Sequence, residues 1–467
     1  MTAPDPVRAH AEASPEADAV LTEAGAWTWA DLDARVGAAA RRLGAGPDRI
    51  AVLARMSPDL VVLVLASLRA GRTLVPLSTR WPASGIGDAL DRLGVERLLV
   101  GPDLTAPDGI EAVPLAEAVG EGPVASGTDL DLGQPWTVVH TSGSTGVPKA
   151  ALHTVGNHVW NARGVIERMD LRAGDRWLLD LPLYHVGGLG VVVRCALAGA
   201  AVAVPEAGTS TAEAVARFRP THASLVATQL RRLFDAEAYL SSLRAILLGG
   251  SAIPADLLDE AVRRGVPVAT SYGLTEMTST VTATPLGASR ASLATSGTVL
   301  PHRALRITEA GEIEVGGPAL FAGYLTPDGL QAPEDWHPTG DLGRLEAAGR
   351  LEVTGRRGLM FVSGGENVQP ETIEAALLRL DGVAEAIVVP VPDRTFGARP
   401  VAFVRSASGH GLNPEAVRES VRSDLPGFMV PTAVYRWSGA GGMKADRPAL
   451  AAEAERRAVR SSNEEGG

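Results

Sequence analysis

A loop of glycine and hydroxyl residues that ends in a lysine carries the clearest chemical signal in the sequence. It follows a strand-like segment over residues 136–140 and consists of Thr141, Ser142, Gly143, Ser144, Thr145, Gly146, Val147, Pro148 and Lys149. Glycines let successive backbone N–H groups converge on one anion, hydroxyl groups add donors, and lysine adds positive charge. The loop therefore predicts a phosphate-binding site, whereas a solvent-exposed turn would leave the lysine unexplained. It is not a Walker A loop, because GxxxxGK followed by Ser or Thr does not occur.

Lysine is rare in this chain. Of its 43 lysine and arginine residues, only Lys149 and Lys444 are lysines. Arginine presents a planar fork of donors, whereas lysine is a compact point charge on a thin stem. Unless their retention is chance, the two lysines therefore mark positions that need a small ammonium group.

Composition and charge exclude several classes of protein. The 467 residues are 45% hydrophobic and 21% charged, which is typical of a soluble globular protein of about three domain lengths. A net charge of −11 argues against nucleic acid as the partner. The single cysteine, Cys195, excludes a disulfide framework or a CxxC site. Residues 1–17 lack the pattern of a signal peptide and no apolar run is long enough to span a membrane, so we expect a cytoplasmic protein without membrane insertion.

Short apolar runs alternate with amphipathic stretches along most of the chain. Strands are predicted over residues 50–53, 74–76, 201–204, 223–227, 245–248 and 266–269, and helices over residues 28–43, 60–69, 212–218 and 255–264. This alternation predicts an α/β fold in which helices cover parallel sheets.

The pattern changes near Gly297. Short segments over residues 307–309, 312–315 and 351–353 predict a small antiparallel region, and Arg356 to Gly358 form a hinge-like stretch. Beyond it, helices over residues 370–379 and 414–424 and strands over residues 383–390 and 400–405 predict a small α+β domain. We therefore predict an N-terminal domain over residues 1–355, a hinge over 356–358, a C-terminal domain over 359–458 and a disordered tail over 459–467.

Ordered landmarks beyond the loop resemble those of the adenylate-forming ligases, which include acyl-CoA synthetases, stand-alone adenylation domains and luciferases. The resemblance covers nearly the full length and rests on residues 141–149, 271–276, 338–341, 355–356, 363–367 and 443–447. It implies a large N-terminal α/β domain and a small, mobile C-terminal domain. Within the family, residues 149–154, 181–188, 273–280 and 363–370 resemble the o-succinylbenzoate–CoA ligases of menaquinone biosynthesis.

The resemblance implies a nucleotide site with Mg²⁺. Residues 141–149 would hold the β- and γ-phosphates, Thr275 would contact the α-phosphate, and Glu276 would help to hold Mg²⁺, unless it is only a helix N-terminal acid. The adenine and ribose would be bound by Gly249, Gly250, Ser251, Tyr272, Asp341 and Arg356. The alternative for Asp341 is an ordinary turn residue, a common position for aspartate.

The same resemblance assigns the acid and CoA sites. His185, Arg194 and Ser279 would line the acyl pocket, and Ser363, Gly364 and Gly365 would line the approach of the CoA thiol. His185 would act near the reacting carboxylate or be a satisfied core histidine. Arg194 would anchor a second carboxylate or extend to the surface, and its neighbour Cys195 is best explained as a small buried hydrophobe.

The resemblance also assigns the mobile lysine. Lys444 would catalyse adenylation from the C-terminal domain. Gly358 departs from the family, which usually carries Asp or Lys at that hinge position.

The implied activity is an ATP-dependent acid–CoA ligase, with ATP, CoA and o-succinylbenzoate as small-molecule substrates. The alternatives are a ligase for another aryl or medium-chain acid, an adenylation enzyme that loads a carrier protein, and a degenerate nucleotide-binding module. The last is disfavoured because Lys149, Glu276, Asp341 and Lys444 are all present. The sequence leaves the oligomeric state open and is compatible with a homodimer.

Overall fold

Parallel strands form the centres of two large sheets, which confirms the predicted α/β class. The structure is a computed structural model. It describes residues 1–120, 122, 129–141, 148–250, 253–363, 366–393, 396–407, 412–422, 424–437 and 446–464.

The first sheet carries the strands on both sides of the predicted phosphate-binding loop. In spatial order its described strands are Gly329–Gln331, Gly323–Thr326, Lys149–Thr154, Pro135–Thr141, Thr73–Pro76, Arg49–Leu53, Arg97–Val100 and Glu111–Pro114. Pro135–Thr141 and Lys149–Thr154 pair antiparallel, with Thr141 opposite Lys149.

The second sheet ends in the segment that carries Thr275 and Glu276. Its described strands, in spatial order, are Thr298–Val299, Ser279–Ala283, Val268–Leu274, Ala245–Leu248, His222–Leu225, Arg176–Leu178, Ala201–Ala203, Asp18–Thr22 and Gly25–Thr28. Five consecutive pairs, from Val268–Leu274 to Asp18–Thr22, are parallel, as short apolar strands separated by helices predict.

Helices lie between these sheets and on their outer faces. One continuous core joins residues of both sheets to the helices Trp29–Gly44, Pro58–Arg69, Val155–Met169 and Val186–Ala198. The last of these is apolar and buried over most of its length, with Arg194 as its one charged residue. The other described helices are Pro6–Ala13, Ala83–Leu93, Leu115–Val119, Thr211–Phe218, Ala227–Asp235, Ala255–Arg263, Arg290–Leu293, Pro370–Leu378, Pro414–Ser420 and Arg447–Glu464, with short 3-10 turns at Thr275–Met277 and Ala347–Gly349.

Smaller sheets complete the described part of the chain. Ala304–Ile307, Glu312–Gly316, Trp336–Leu345 and Leu351–Arg356 form the predicted antiparallel region. The C-terminal sheet contains Glu366–Val368, Phe361–Ser363, Gly397–Ser406, Val383–Asp393 and Ala433–Arg436, and Thr2–Ala3 pairs with Leu130–Asp131.

Several predicted boundaries differ from the structure, and two of the differences have a clear physical reason. The strand expected over residues 307–309 is Ala304–Ile307, because Thr308 begins a turn in which Gly311, with φ +80°, donates to the Thr308 carbonyl. The last helix, Arg447–Glu464, extends into the tail that we expected to be disordered, since its alanine, arginine and glutamate residues favour helix.

No helix among the described residues has both the length and the apolar character needed to cross a membrane. Cys195 is fully buried, as expected for a small hydrophobe, and burial raises the pKa of its thiol to about 12.

Candidate active site

The turn that carries Thr275 and Glu276 lies where the two large sheets meet. It follows the strand Val268–Leu274 directly. A ring nitrogen of His153, in the first sheet, lies 2.8 Å from the Thr275 carbonyl oxygen, and the Phe321 amide donates to the Glu276 carbonyl at 2.8 Å. The Thr275 carbonyl is therefore held by a strand of the first sheet, and the Glu276 carbonyl by the segment just before the strand Gly323–Thr326.

The backbone just after this turn is strained. Thr278 and Ser279 have φ values of +57° and +127°, and residues other than glycine rarely adopt such a backbone conformation. Gly273 permits the close approach, because a Cβ there would lie 2.2 Å from the Ser279 carbonyl oxygen. Such strain persists only where the surroundings over-determine it, and it places the predicted substrate residue Ser279 beside the turn.

Two buried side chains supply that support. Asn161 donates its amide hydrogens to the carbonyls of Met277 and Thr280, at 2.8 and 3.2 Å. Arg303 donates to the carbonyls of Thr280 and Asn161, at 2.8 and 2.6 Å, and burial lowers its pKa to about 9. The sequence analysis missed both residues, since neither belongs to a motif.

Lys149 and Glu276 are brought to one place by Tyr324. The Tyr324 hydroxyl donates to a carboxylate oxygen of Glu276, and the Lys149 ammonium lies 5.0 Å from the centre of the same aromatic ring. Burial, followed by the charge of Glu276, raises the pKa of Tyr324, so the hydroxyl stays protonated and donates. Tyr324 was not predicted, although it lies in a strand that pairs with Lys149–Thr154.

This arrangement fits a magnesium ion that is held mainly by its nucleotide. Within the described ranges no three His, Cys, Asp or Glu side chains could cage a metal ion together. Mg²⁺ on a nucleotide is bound by phosphate oxygens and water, with one or two protein carboxylates. Glu276 supplies such a carboxylate beside the lysine.

A second cluster joins the residues predicted to bind adenine and ribose. The Tyr272 hydroxyl donates to one oxygen of Asp341 at 2.7 Å, and Arg356 Nε lies 3.5 Å from the other. Burial, followed by Asp341, raises the pKa of Tyr272, so this hydroxyl stays a donor. Asp341 and Arg356 are directly opposite each other on antiparallel strands, which explains why two distant motifs converge.

Glu312 stabilises the turn before Asp341, a role that the sequence analysis did not predict. One Glu312 oxygen accepts from the Gly340 amide at 3.0 Å, and the other accepts from Arg357 at 2.7 Å. Arg357 is thus tied to the strand Glu312–Gly316. An added Cβ at Gly358 would meet no atom within 4 Å, so space does not explain the glycine at this hinge position.

Two glycines predicted to border the adenine follow the strand Ala245–Leu248, which pairs with the strand that carries Tyr272. A Cβ at Gly249 would lie 2.5 Å from the Ser271 hydroxyl, and Gly250 has φ +86°. The backbone conformation of Gly250 and the short distance at Gly249 both favour glycine, which agrees with a flat ring approaching the backbone here.

Two of the residues predicted to line the acyl pocket, His185 and Arg194, lie directly before and on the helix Val186–Ala198. His185 is the residue that precedes this helix and is exposed, so it is not a core histidine. Arg194 is 1% exposed, which excludes the alternative that it extends to the surface. Its Nε donates to the Gly190 carbonyl at 2.7 Å, its guanidinium lies 4.5 Å from the centre of the Trp177 ring, and its Nη1 has no hydrogen-bond partner among the described residues.

The remaining predicted residues divide into two groups. Ser363 ends the strand Phe361–Ser363 and is fully buried, and its hydroxyl has no partner among the residues described. The other calls lie outside the described residues: Ser142, Gly143, Ser144, Thr145, Gly146, Ser251, Gly364, Gly365 and Lys444.

Comparisons with known proteins agree with this geometry. The 2-succinylbenzoate–CoA ligase of Salmonella typhimurium is 36% identical over 417 residues, which is 86% of each chain. The o-succinylbenzoate CoA synthetase (MenE) of Bacillus subtilis in complex with the acyl-adenylate intermediate OSB-AMP superposes with a TM-score of 0.88, at 27% identity over 96% of this chain and 98% of that one. The same enzyme in complex with ATP and magnesium ion gives 0.84, at 27% identity over 94% and 96%.

Two family matches cover most of the sequence. Residues 7–325 match the AMP-binding enzyme family, and residues 372–439 match the AMP-binding enzyme C-terminal domain. The chain therefore belongs to the AMP-binding enzymes.

Proposed function

We propose that this protein is an ATP-dependent o-succinylbenzoate–CoA ligase of menaquinone biosynthesis. In the first step a carboxylate of the acid attacks the α-phosphorus of ATP, which gives an acyl-adenylate and releases pyrophosphate. In the second step the CoA thiol attacks the acyl carbon, which gives the thioester and releases AMP. The single observation that carries the proposal is the convergence of Lys149, Tyr324 and Glu276 beside the strained Thr275–Ser279 segment.

Charge neutralisation explains why this convergence suits the first step. The acid and the triphosphate are both anions, so positioning and electrostatic stabilisation are the main catalytic requirements. Lys149 would bind the β- and γ-phosphates, Thr275 would contact the α-phosphate, and Glu276 would bind the Mg²⁺ ion that neutralises further phosphate charge. Asp341 would accept hydrogen bonds from the ribose while Tyr272 and Arg356 hold its carboxylate.

The substrate assignment is tested with a panel of acids. We expect pyrophosphate release, and CoA-dependent formation of a thioester, with a higher kcat/KM for o-succinylbenzoate than for benzoate or octanoate. Pyrophosphate release should be measured with and without CoA, because a carrier-protein ligase would form the adenylate but not the CoA thioester. A higher kcat/KM for benzoate or octanoate would remove this substrate and keep the ligase class.

Arg194 is the residue that we propose to bind the second carboxylate of the acid. It is a buried guanidinium whose Nη1 has no hydrogen-bond partner among the described residues, and its charge contributes to the lowered pKa of Arg303. A buried positive charge without a counter-ion is costly, and a dianionic substrate would compensate it. Gly190 leaves room for the guanidinium, since a Cβ there would lie 2.6 Å from an arginine nitrogen.

Replacing Arg194 should therefore weaken binding of the diacid. A lost hydrogen bond to a charged group costs about 1.5–3 kcal/mol, so Arg194→Ala should raise KM for o-succinylbenzoate by roughly 10- to 150-fold with less effect on KM for ATP. Arg194→Met fills most of the space and should show the same split. Unchanged KM values for the acid in both variants, with circular dichroism intact, would exclude the anchor.

The domain boundaries predicted from the sequence remain part of this proposal. The two family matches fall on either side of the proposed hinge at 356–358, and the Gln369 side chain donates to the Arg356 carbonyl at 3.0 Å. After adenylation, the domain over residues 359–458 would rotate and withdraw Lys444, and the segment from Ser363 to Gly365 would then line the approach of the thiol.

As partners we propose small molecules only, namely the acid, Mg–ATP and CoA, rather than nucleic acid. Because ATP and CoA are cytoplasmic co-substrates, we also propose that the enzyme acts in the cytoplasm. A homodimer is the oligomer to test, by measuring the molecular mass in solution.

A further inference from the structure

A buried chain of hydrogen bonds ends on the carbonyl of Thr275. Thr137 and His153 are adjacent across two antiparallel strands, and His158 lies on the helix Val155–Met169 that follows. The Thr137 hydroxyl lies 2.8 Å from His158 Nε2 and 3.4 Å from His153 Nδ1, and His153 Nε2 lies 2.8 Å from the Thr275 oxygen. All three side chains are at most 2% exposed, so the hydrogen-bonded chain lies in the protein interior.

The donors and acceptors available along this series of hydrogen bonds fix the position of each hydrogen. A carbonyl oxygen can only accept, so His153 Nε2 must carry a hydrogen and donate to Thr275. Complete burial opposes a positive charge and lowers the pKa of His153, so its Nδ1 is bare and accepts the Thr137 hydroxyl hydrogen. The Thr137 oxygen then accepts from His158 Nε2. Each member has one consistent role.

We propose that His153 is a positioning residue for adenylation. It holds the Thr275 carbonyl and thereby fixes the direction of the Thr275 hydroxyl and the Glu276 carboxylate toward the nucleotide. His153 lies on the same strand as Lys149, so one rigid element sets both the phosphate lysine and the turn with the magnesium carboxylate. The inference rests on the proposed function, because it gives these two groups their roles.

His222 is the control for the effect of replacing a buried histidine that lies outside the candidate active site. His222 is 1% exposed; its Nε2 lies 2.9 Å from the Met169 carbonyl oxygen and its Nδ1 lies 2.8 Å from the Thr221 hydroxyl. Its bonds thus have the same pattern as those of His153. The difference is the carbonyl, since Met169 ends a helix whereas Thr275 begins the active-site turn. If both histidines had only a structural role, replacing either one would change Mg–ATP affinity by the same amount.

The test compares His153→Leu, His153→Gln and His222→Leu. Loss of the donor should lower the rate of pyrophosphate release and weaken Mg–ATP binding, measured by calorimetry, by about 5- to 100-fold in His153→Leu. His153→Gln should recover most of both, because the glutamine amide can donate to the same carbonyl. His222→Leu should lower Tm and leave Mg–ATP binding unchanged.

Nitrogen NMR gives a readout that does not depend on activity. In the wild type at neutral pH, the His153 ring should show a protonated Nε2 and a bare Nδ1. The opposite tautomer, or equal losses of Mg–ATP affinity in His153→Leu and His222→Leu, would overturn the inference, as would a His153→Gln variant that is folded but as impaired as His153→Leu. Failure of the wild type to activate o-succinylbenzoate would instead overturn the proposed function, while binding and NMR would still decide the role of His153.

Discussion

Replacing Lys444 by alanine should slow pyrophosphate release by roughly 10²–10³-fold or more, the loss expected when one preorganised donor to a developing charge is removed. The same variant, given pre-formed acyl-adenylate and CoA, should make thioester at close to the wild-type rate. In the family that this chain resembles, the lysine meets the α-phosphate only while the C-terminal domain is closed for adenylation. The low lysine content supports this role independently, since a compact ammonium is retained at only two positions.

Lys149→Ala is the matched comparison for this experiment. Lys149 lies beside Tyr324 and Glu276, where the β- and γ-phosphates are expected, and those phosphates leave as pyrophosphate. Its replacement should chiefly raise KM for ATP. Single-turnover measurements of each half-reaction separate the two variants. Equal losses in both half-reactions for Lys444→Ala would contradict a mechanism with two domain arrangements.

Replacing Arg69 by methionine should destabilise the protein by about 3–5 kcal/mol, because it leaves the buried Asp5 carboxylate without its cation and leaves the buried Asp33 carboxylate with only the half-exposed Arg8. Arg69 Nε bonds Asp5 and its Nη2 bonds Asp33, both at 2.6 Å, and the arginine side chain is 2% exposed. Asp5 also accepts from the Val7 and Arg8 amides at the start of the helix Pro6–Ala13. One guanidinium therefore joins three helices.

An exposed ion pair provides the control for this measurement. Arg97 and Glu111 bond at 2.9 Å with about half of each side chain exposed, so Arg97→Met should cost less than about 1 kcal/mol. Urea unfolding followed by tryptophan fluorescence gives both values. If Arg69→Met lost no more stability than Arg97→Met, the buried pairs would not hold the N-terminal segment.

Local patterns in the sequence predicted the elements better than their contacts. The helix Pro58–Arg69 matches the expected helix over residues 60–69, since Ser57 caps it and a proline begins it. The strand over residues 307–309 was misplaced because the φ of Gly311 decides where the turn begins, and spacing does not reveal φ. The final helix shows the same limit, since a polar composition is compatible with both helix and disorder.

In the candidate active site, too, local motifs were predicted and long-range contacts were missed. Tyr272, Asp341 and Arg356 were predicted from separate motifs, and the structure joins them by hydrogen bonds and an ion pair. Tyr324 and Arg303 were missed because their function depends on partners that are distant in sequence. Tyr324 is 48 residues from the Glu276 that it contacts, so only the packing of the sheets reveals the pair.

The chemistry of Cys195 makes the proposed domain rotation accessible to site-specific labelling. With a thiol pKa of about 12 and no solvent exposure, this cysteine has almost no thiolate at neutral pH and is shielded from reagents. It is also the only cysteine in the chain. A cysteine introduced at Gly358, where an added side chain meets open space, would thus be the single reactive thiol and could carry one fluorophore without any change to the native cysteine. A spectroscopic study of hinge motion in this enzyme would therefore not require the native cysteine to be removed first.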